Sequence, residues 1–295
     1  TEEAHDCPRS PDDGTSPLPP PKEAPAESSE SHVFGTASAQ EVSCPLGYRI
    51  VTTLKPSLSL RSTVAIGNAN LAGVYTDGVW LYTRNLVPGK SVYGEGLVTQ
   101  GGVEYRKWDA ARSKLAAYLK RGGRHWPFRP GSSVLYLGAG SGTTVSHISD
   151  VCARGNIVAV EISPRVFRDL VSLAEARPNL IPIMAAAGHP ESYRGHVGVV
   201  DVLYQDVAQR DQEAIFLRNI EILRPGGTGI LMVKARSVDV AAPPSDVYDH
   251  ARGALLKGGL EVLDVRELDP FEVDHAAIVV RKRQSHGAGR SGERG

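Results

Sequence analysis

Cysteine is scarce in this chain: Cys7, Cys44 and Cys152 are the three among 295 residues. They lie far apart and form no C-x-x-C pair, so neither a zinc site, nor any other metal, nor a disulfide framework is expected. The odd count fits a reducing compartment. No run of about 18 apolar residues occurs, so no membrane-spanning helix is expected. The first residues, Thr1 to Asp6, are acidic and lack an apolar core, unlike a signal peptide. Net charge is also missing, because 33 basic residues meet 33 acidic ones. A protein that binds nucleic acid alone usually carries a basic excess, since neutralising phosphates drives affinity. Any RNA contact made by this chain is therefore local or shared with partner proteins. There is no internal repeat and no aromatic-basic sheet motif.

What is present suffices for a packed core: hydrophobic residues make up 41% of the chain, and the length suits one large domain or two smaller ones. Residues 1–32 are rich in Pro, Ser, Glu and Asp, and cannot bury enough apolar surface to offset chain entropy. With the aperiodic stretch that follows, residues 1–60 read as a disordered or irregular extension. Residues 61–108 predict a small antiparallel β-domain; the alternative is an N-terminal extension of a larger sheet. Val74-Tyr75 and Val79-Trp80-Leu81-Tyr82 flank an Asp77-Gly78 turn, a hairpin pattern. Val92-Tyr93-Gly94 reads as the start of another strand.

From Asp109 to about residue 282, helices and strands alternate. A helix is predicted over Ala111–Arg121, then a buried strand over Val134–Leu137, then a helix from Thr143 to about Cys152. Further strands are predicted at Ile157–Ile162, Leu180–Met184, Val199–Tyr204, Gly229–Lys234, Leu260–Glu267 and Asp274–Arg281. Another helix runs over Gln212–Leu223. This alternation implies a parallel sheet covered on both faces. Residues 283–295 read as a basic, glycine-rich flexible tail.

Gly138-Ala139-Gly140-Ser141-Gly142-Thr143-Thr144 follows the first of these strands and opens a helix. Glycines there let backbone approach a ligand closely. The dinucleotide fingerprint needs glycine at its first, third and sixth positions. Here Gly142 takes the fifth and Thr143 the sixth, which suits S-adenosylmethionine better than NAD. There is no G-K-[ST], which excludes a P-loop. Glu161 stands at the end of the second strand, about 20 residues on, where an acid accepts hydrogen bonds from ribose hydroxyls.

Ligands of open α/β sheets bind beyond the carboxyl ends of the strands. Asp206 and Lys234 sit there, His275 opens the last strand, and Lys114 lies on the helix that precedes the sheet. By position alone each has a plain structural alternative: a solvated lysine, a helix cap, a strand-end charge, a half-buried histidine.

Several segments, in order between about Leu71 and Arg281, look like fibrillarin. They are Asn85-Leu86-Val87-Pro88-Gly89-Lys90, Arg112-Ser113-Lys114-Leu115-Ala116-Ala117, and Val134-Leu135-Tyr136-Leu137-Gly138-Ala139. Ser141-Gly142-Thr143-Thr144-Val145-Ser146-His147, Asp206-Val207-Ala208-Gln209 and Asp274-His275-Ala276 complete the set. The small β-domain resembles the archaeal form, and the long Gly-Arg repeat of the eukaryotic form is missing. The resemblance implies a Rossmann-like class I methyltransferase fold: a mostly parallel seven-stranded sheet plus the small N-terminal β-domain. It implies 2′-O-ribose methylation of rRNA, and possibly of tRNA, through a Lys-Asp-Lys-His set, here Lys114, Asp206, Lys234 and His275. The implied cofactor contacts are the glycine loop through Thr143 and Thr144, then Glu161 and Ile162, Ala186 and Ala187, and Asp206 through Gln209. The implied partners are a box C/D guide RNA with its target, a coiled-coil scaffold protein and a kink-turn-binding ribosomal-type protein. The implied location is cytoplasmic in an archaeon and nucleolar in a eukaryote.

One position departs from the family. Where it normally has Asp-Ala, this chain has Ala186-Ala187. That Asp accepts a hydrogen bond from the adenine amino group, and Ala186 cannot. Within the implied mechanism Lys234 is the expected base, Asp206 orients it and the hydroxyl, and Lys114 and His275 position the acceptor. Three other readings compete: a nucleotide-dependent oxidoreductase, a non-catalytic assembly subunit, and a protein glutamine methyltransferase.

Overall fold

The computed structural model describes residues 65–284. The expectations for the segments before and after them lie outside the described residues. Five short strands come first: β1 (Gly67–Leu71), β2 (Val74–Thr76), β3 (Leu81–Arg84), β4 (Leu97–Gln100) and β5 (Val103–Trp108). They form an antiparallel sheet in the order β1-β2-β3-β5-β4. The expected hairpin is β2–β3, but its second strand starts at Leu81 rather than Val79. Asp77 Oδ1 accepts the Val79 and Trp80 N–H groups at 2.8 and 2.6 Å, and the Thr76 hydroxyl donates to the Trp80 carbonyl. Those local bonds take the groups that strand pairing would use. For the same reason no strand begins at Val92: the Glu95 carboxylate accepts the N–H groups of Val92 and Tyr93.

The rest of the chain alternates. The elements are α1 (Lys114–Lys120), β6 (Ser133–Leu137), α2 (Thr143–Val151), β7 (Asn156–Glu161), α3 (Pro164–Glu175) and β8 (Leu180–Met184). Then come β9 (Val200–Gln205), α4 (Gln212–Asn219), β10 (Leu223–Lys234), α5 (Ala235–Val238), α6 (Pro244–Lys257), β11 (Leu260–Glu267) and β12 (His275–Lys282). The seven strands pair in the order β11-β12-β10-β9-β6-β7-β8, with β12 antiparallel to both neighbours and β6 to β10 parallel. α1 starts three residues later than the sequence predicts. Asp109 Oδ1 accepts the Ala111 N–H in a local turn, and Ser113 then caps the helix. α4 ends at Asn219 rather than Leu223, where the Asn219 amide turns to the Ile215 and Ala187 carbonyls. β10 starts earlier than Gly229, with an irregularity between Leu223 and Thr228 that absorbs Pro225-Gly226-Gly227.

Alternation along the strands sorts side chains onto two faces. Tyr136, Tyr204, Met232 and Ala277 pack on one face with Leu115, Val145 and Ile148 of the helices, and this cluster continues into Val74, Leu81 and Trp108 of the small sheet. Leu135, Leu203, Leu231 and Ile278 pack on the other face with Phe216, Tyr248 and Leu255. Each large aliphatic buried this way contributes about 1.5–3 kcal/mol.

The small sheet is also tied to α2 by buried charge. Arg106 on β5 donates to Glu95 at 2.6 Å and to Asp150 at 2.8 Å, and Arg177 donates to the other oxygen of Asp150 at 2.7 Å. The Thr83 hydroxyl donates to Asp150, and Leu86 offers its backbone N–H. Beside them His147 lies between Thr83 and Tyr93, stacked on Trp108 with ring centroids 4.8 Å apart. Burial, with Arg106 and Arg177 nearby, holds its pKa well below the ordinary imidazole value.

Candidate active site

Strand ends and one helix start place the four candidate catalytic residues on a single sheet face. On β10, Ile230 and Met232 point into the layer shared with α1, and period-two alternation brings Lys234 to that side. Tyr204 does the same for Asp206, and Ala277 and Val279 for His275. α1 covers this face through Leu115, Ala116 and Tyr118, with Lys114 at its first turn.

Lys114 Nζ sits 3.0 and 3.1 Å from the two Asp206 carboxylate oxygens, with both side chains about one-fifth exposed. Asp206 lies one residue beyond β9, its N–H donating to the Leu137 carbonyl at 2.9 Å. There the backbone crosses the glycine loop. A Cβ on Gly138, which has φ +77°, would stand 2.4 Å from the Asp206 carbonyl oxygen, so only glycine fits.

Lys234 and His275 are cross-strand partners at the end of β10 and the start of β12. Lys234 is held at its backbone, since its N–H donates to Gln212 Oε1 at 2.9 Å and its carbonyl accepts from Gln212 Nε2 at 3.1 Å. Gln205 Nε2 in turn donates to the Gln212 carbonyl at 2.7 Å, and both glutamines are fully buried. Sequence reasoning missed this clamp, and no local pattern marks it. His275 donates from Nδ1 to the Val273 carbonyl at 2.7 Å, which leaves Nε2 an acceptor. Glu272, also missed, stands 4.0 Å from the same Nδ1. Burial lowers the His275 pKa, assisted by Lys114 and opposed by the Val273 carbonyl, Glu272 and Asp206.

Next to Asp206 a cavity of about 330 Å³ opens. Of the predicted cofactor contacts, Gly138, Gly140, Glu161, Ile162, Ala187, Asp206, Val207, Ala208 and Gln209 line it. The remaining predicted contacts do not line it. Ala139 and Thr144 are buried, Gly142 packs against Leu173, and Ser141 and Thr143 border a separate groove with Lys90 and Arg112. Ala186 faces a neighbouring groove.

The cavity suits an adenosyl group. Glu161 is oriented by two backbone donors, Gly140 N–H and Ser163 N–H, each at 2.9 Å and each on a different oxygen. Every oxygen thus keeps a lone pair for a ribose diol. Gly140, with φ +58°, has open space where a Cβ would be, so backbone can meet a ligand closely. Ile162, Ala187, Val207 and Ala208 supply an apolar berth for a base. Among the described residues no cluster of potential metal ligands occurs.

The chain as a whole is similar to known proteins. The family model Fibrillarin matches residues 67–284. A fibrillarin-like rRNA/tRNA 2′-O-methyltransferase from Aeropyrum pernix is 50% identical over 204 residues, covering 68% of this chain and 88% of the relative. The crystal structure of Aeropyrum pernix fibrillarin in complex with natively bound S-adenosyl-L-methionine superposes with a TM-score of 0.68 at 48% identity, over 74% of this chain and 98% of that one. A fibrillarin/Nop5p complex gives a TM-score of 0.66 at 39% identity, over 72% and 98%. In sequence and in fold, this chain belongs to the fibrillarin family.

Proposed function

We propose that this chain transfers methyl groups from S-adenosylmethionine to ribose 2′-hydroxyls of ribosomal RNA, and of transfer RNA, as the catalytic subunit of a box C/D ribonucleoprotein. The observation that carries this reading is the Lys114–Asp206 pair beside a cavity with a ribose-holding acid, on the face that Lys234 and His275 share. When bound, the cofactor supplies a methyl group on a sulfonium, already electrophilic. The chain's own residues act on the acceptor. A ribose hydroxyl is a poor nucleophile until its proton begins to leave, and general-base help is worth about 10²–10⁴-fold.

Lys234 is the base that accepts this proton at Nζ. The Gln205–Gln212 clamp fixes where its side chain emerges. Asp206 orients the hydroxyl and Lys114, and its negative charge suits a cationic neighbour. Lys114 and His275 position the acceptor ribose and its phosphate, His275 through the Nε2 that its Val273 contact leaves free. Alignment by such contacts supplies much of the remaining acceleration.

Target choice is delegated. A chain of zero net charge has little phosphate attraction of its own. In our reading a guide RNA selects the nucleotide by base pairing, a coiled-coil scaffold protein holds this chain over it, and a kink-turn-binding protein anchors the guide. The relative solved with Nop5p supports the scaffold. The test is label transfer from methyl-labelled S-adenosylmethionine in an assembled particle. Label should fall on one 2′-oxygen and move when the guide sequence is changed. Label independent of the guide, or on protein, would contradict the proposal.

A further inference from the structure

A second groove adjoins the cofactor cavity on the side toward which an adenine ring would extend, and this deepens the functional reading above, on which it rests. The reacting end of the cofactor belongs at Asp206, after β9, and its ribose at Glu161, after β7. The strand order runs β9-β6-β7-β8, so the base extends past Ile162 toward the loop that follows β8. That loop is Ala185-Ala186-Ala187-Gly188, with no side chain longer than a methyl group. The second groove, of about 560 Å³, opens there between Ala186, Gly188, His189, Glu191, Asp211 and Arg218. It shares Ile162 and Gln209 with the first cavity, so the two adjoin.

The charged walls of this groove are already satisfied. His189 Nδ1 lies 2.9 Å from Glu191, and Arg218 donates to Asp211 at 2.7 Å. It is therefore not a bare cationic or anionic pocket. Its distinctive property is room, with the Arg218 guanidinium among its lining groups. Guanidinium planes stack on aromatic rings.

We infer that this groove is a subsite for a substituent on the adenine 6-amino nitrogen, so that the chain accepts adenosyl cofactors enlarged there by a flat aromatic group. Ala186 puts only a methyl group there, and it offers the amino group no acceptor that a substituent would displace.

The test is calorimetric titration of the full chain with S-adenosylhomocysteine and with its N6-benzyl derivative, in wild type and Gly188→Leu. Gly188 has no positive φ, and a Cβ there meets Arg218 Nη2 at 3.5 Å and Ile215 Cγ1 at 3.8 Å, so a side chain is tolerated and narrows the groove. The wild type should bind both ligands within about threefold, and Gly188→Leu should weaken the benzyl ligand alone by roughly tenfold or more. Tight binding of S-adenosylhomocysteine with roughly tenfold weaker binding of the benzyl ligand to wild type would overturn the subsite and leave the proposed function standing. Equal binding of both ligands to Gly188→Leu would also overturn it, because the substituent would then lie elsewhere. Failure of both ligands to bind wild type would overturn the subsite together with the cofactor reading.

Discussion

Asp206 meets Lys114 at 3.0 Å, and its backbone crosses Gly138 so closely that the glycine admits no side chain. Chemistry and chain geometry thus converge on one residue. Lys234 differs: its backbone is clamped by Gln212, so its side chain alone is free to act. Replacing Lys234 by alanine should lower single-turnover methyl transfer by about 10²–10⁴-fold while cofactor affinity, read by calorimetry, stays within about threefold. At the adenine end, Ala186→Asp should restore an acceptor for the amino group. A hydrogen bond of this kind contributes about 0.5–1.5 kcal/mol, so S-adenosylmethionine should bind up to roughly tenfold more tightly. An unchanged dissociation constant would place the amino group elsewhere. The candidate residues at strand ends were legible in the sequence because strand ends themselves were. Gln205 and Gln212 were not, since a buried amide becomes visible only once the fold brings its partner to it.

At the scale of elements, α2 joins the two sheets. Its Ser146, His147 and Asp150 all bond to residues of the small sheet or the loops beside it. Asp150 takes two arginines, so Asp150→Ala leaves Arg106 and Arg177 buried without their shared counter-charge. The expected loss is about 3–5 kcal/mol in urea unfolding. A loss below about 1 kcal/mol would mean that the arginines find water instead. Helix and strand periods made most of the large sheet readable, with β8 and β11 falling where the pattern put them. The misplaced ends have a common cause. Asp77, Glu95 and Asp109 bond to nearby backbone N–H groups, and such local capture competes with strand and helix without changing the hydrophobic pattern. The Arg106–Asp150 pair joins residues 44 apart, which no local window contains.

For the molecule as a whole, the imidazole buried between the sheets sets a pH dependence. His147 is held neutral, with its pKa well below 6.5 in the folded chain. Below about that pH the unfolded chain binds a proton that the folded chain refuses, so stability is full above it and declines as pH falls through it. Urea midpoints should therefore drop from about pH 7.5 to about pH 5.5, and a flat profile would contradict the buried neutral assignment. The central claim concerns chemistry. Its most direct test is single-turnover transfer of labelled methyl to a guide-matched RNA in the assembled particle, comparing wild type with Asp206→Ala, with cofactor binding measured in parallel. The account predicts label on one ribose 2′-oxygen with wild type and a loss of about 10²-fold or more with the variant, in excess of any loss of cofactor affinity. Wild-type binding of cofactor without any transfer, or near-normal transfer by Asp206→Ala, would contradict it.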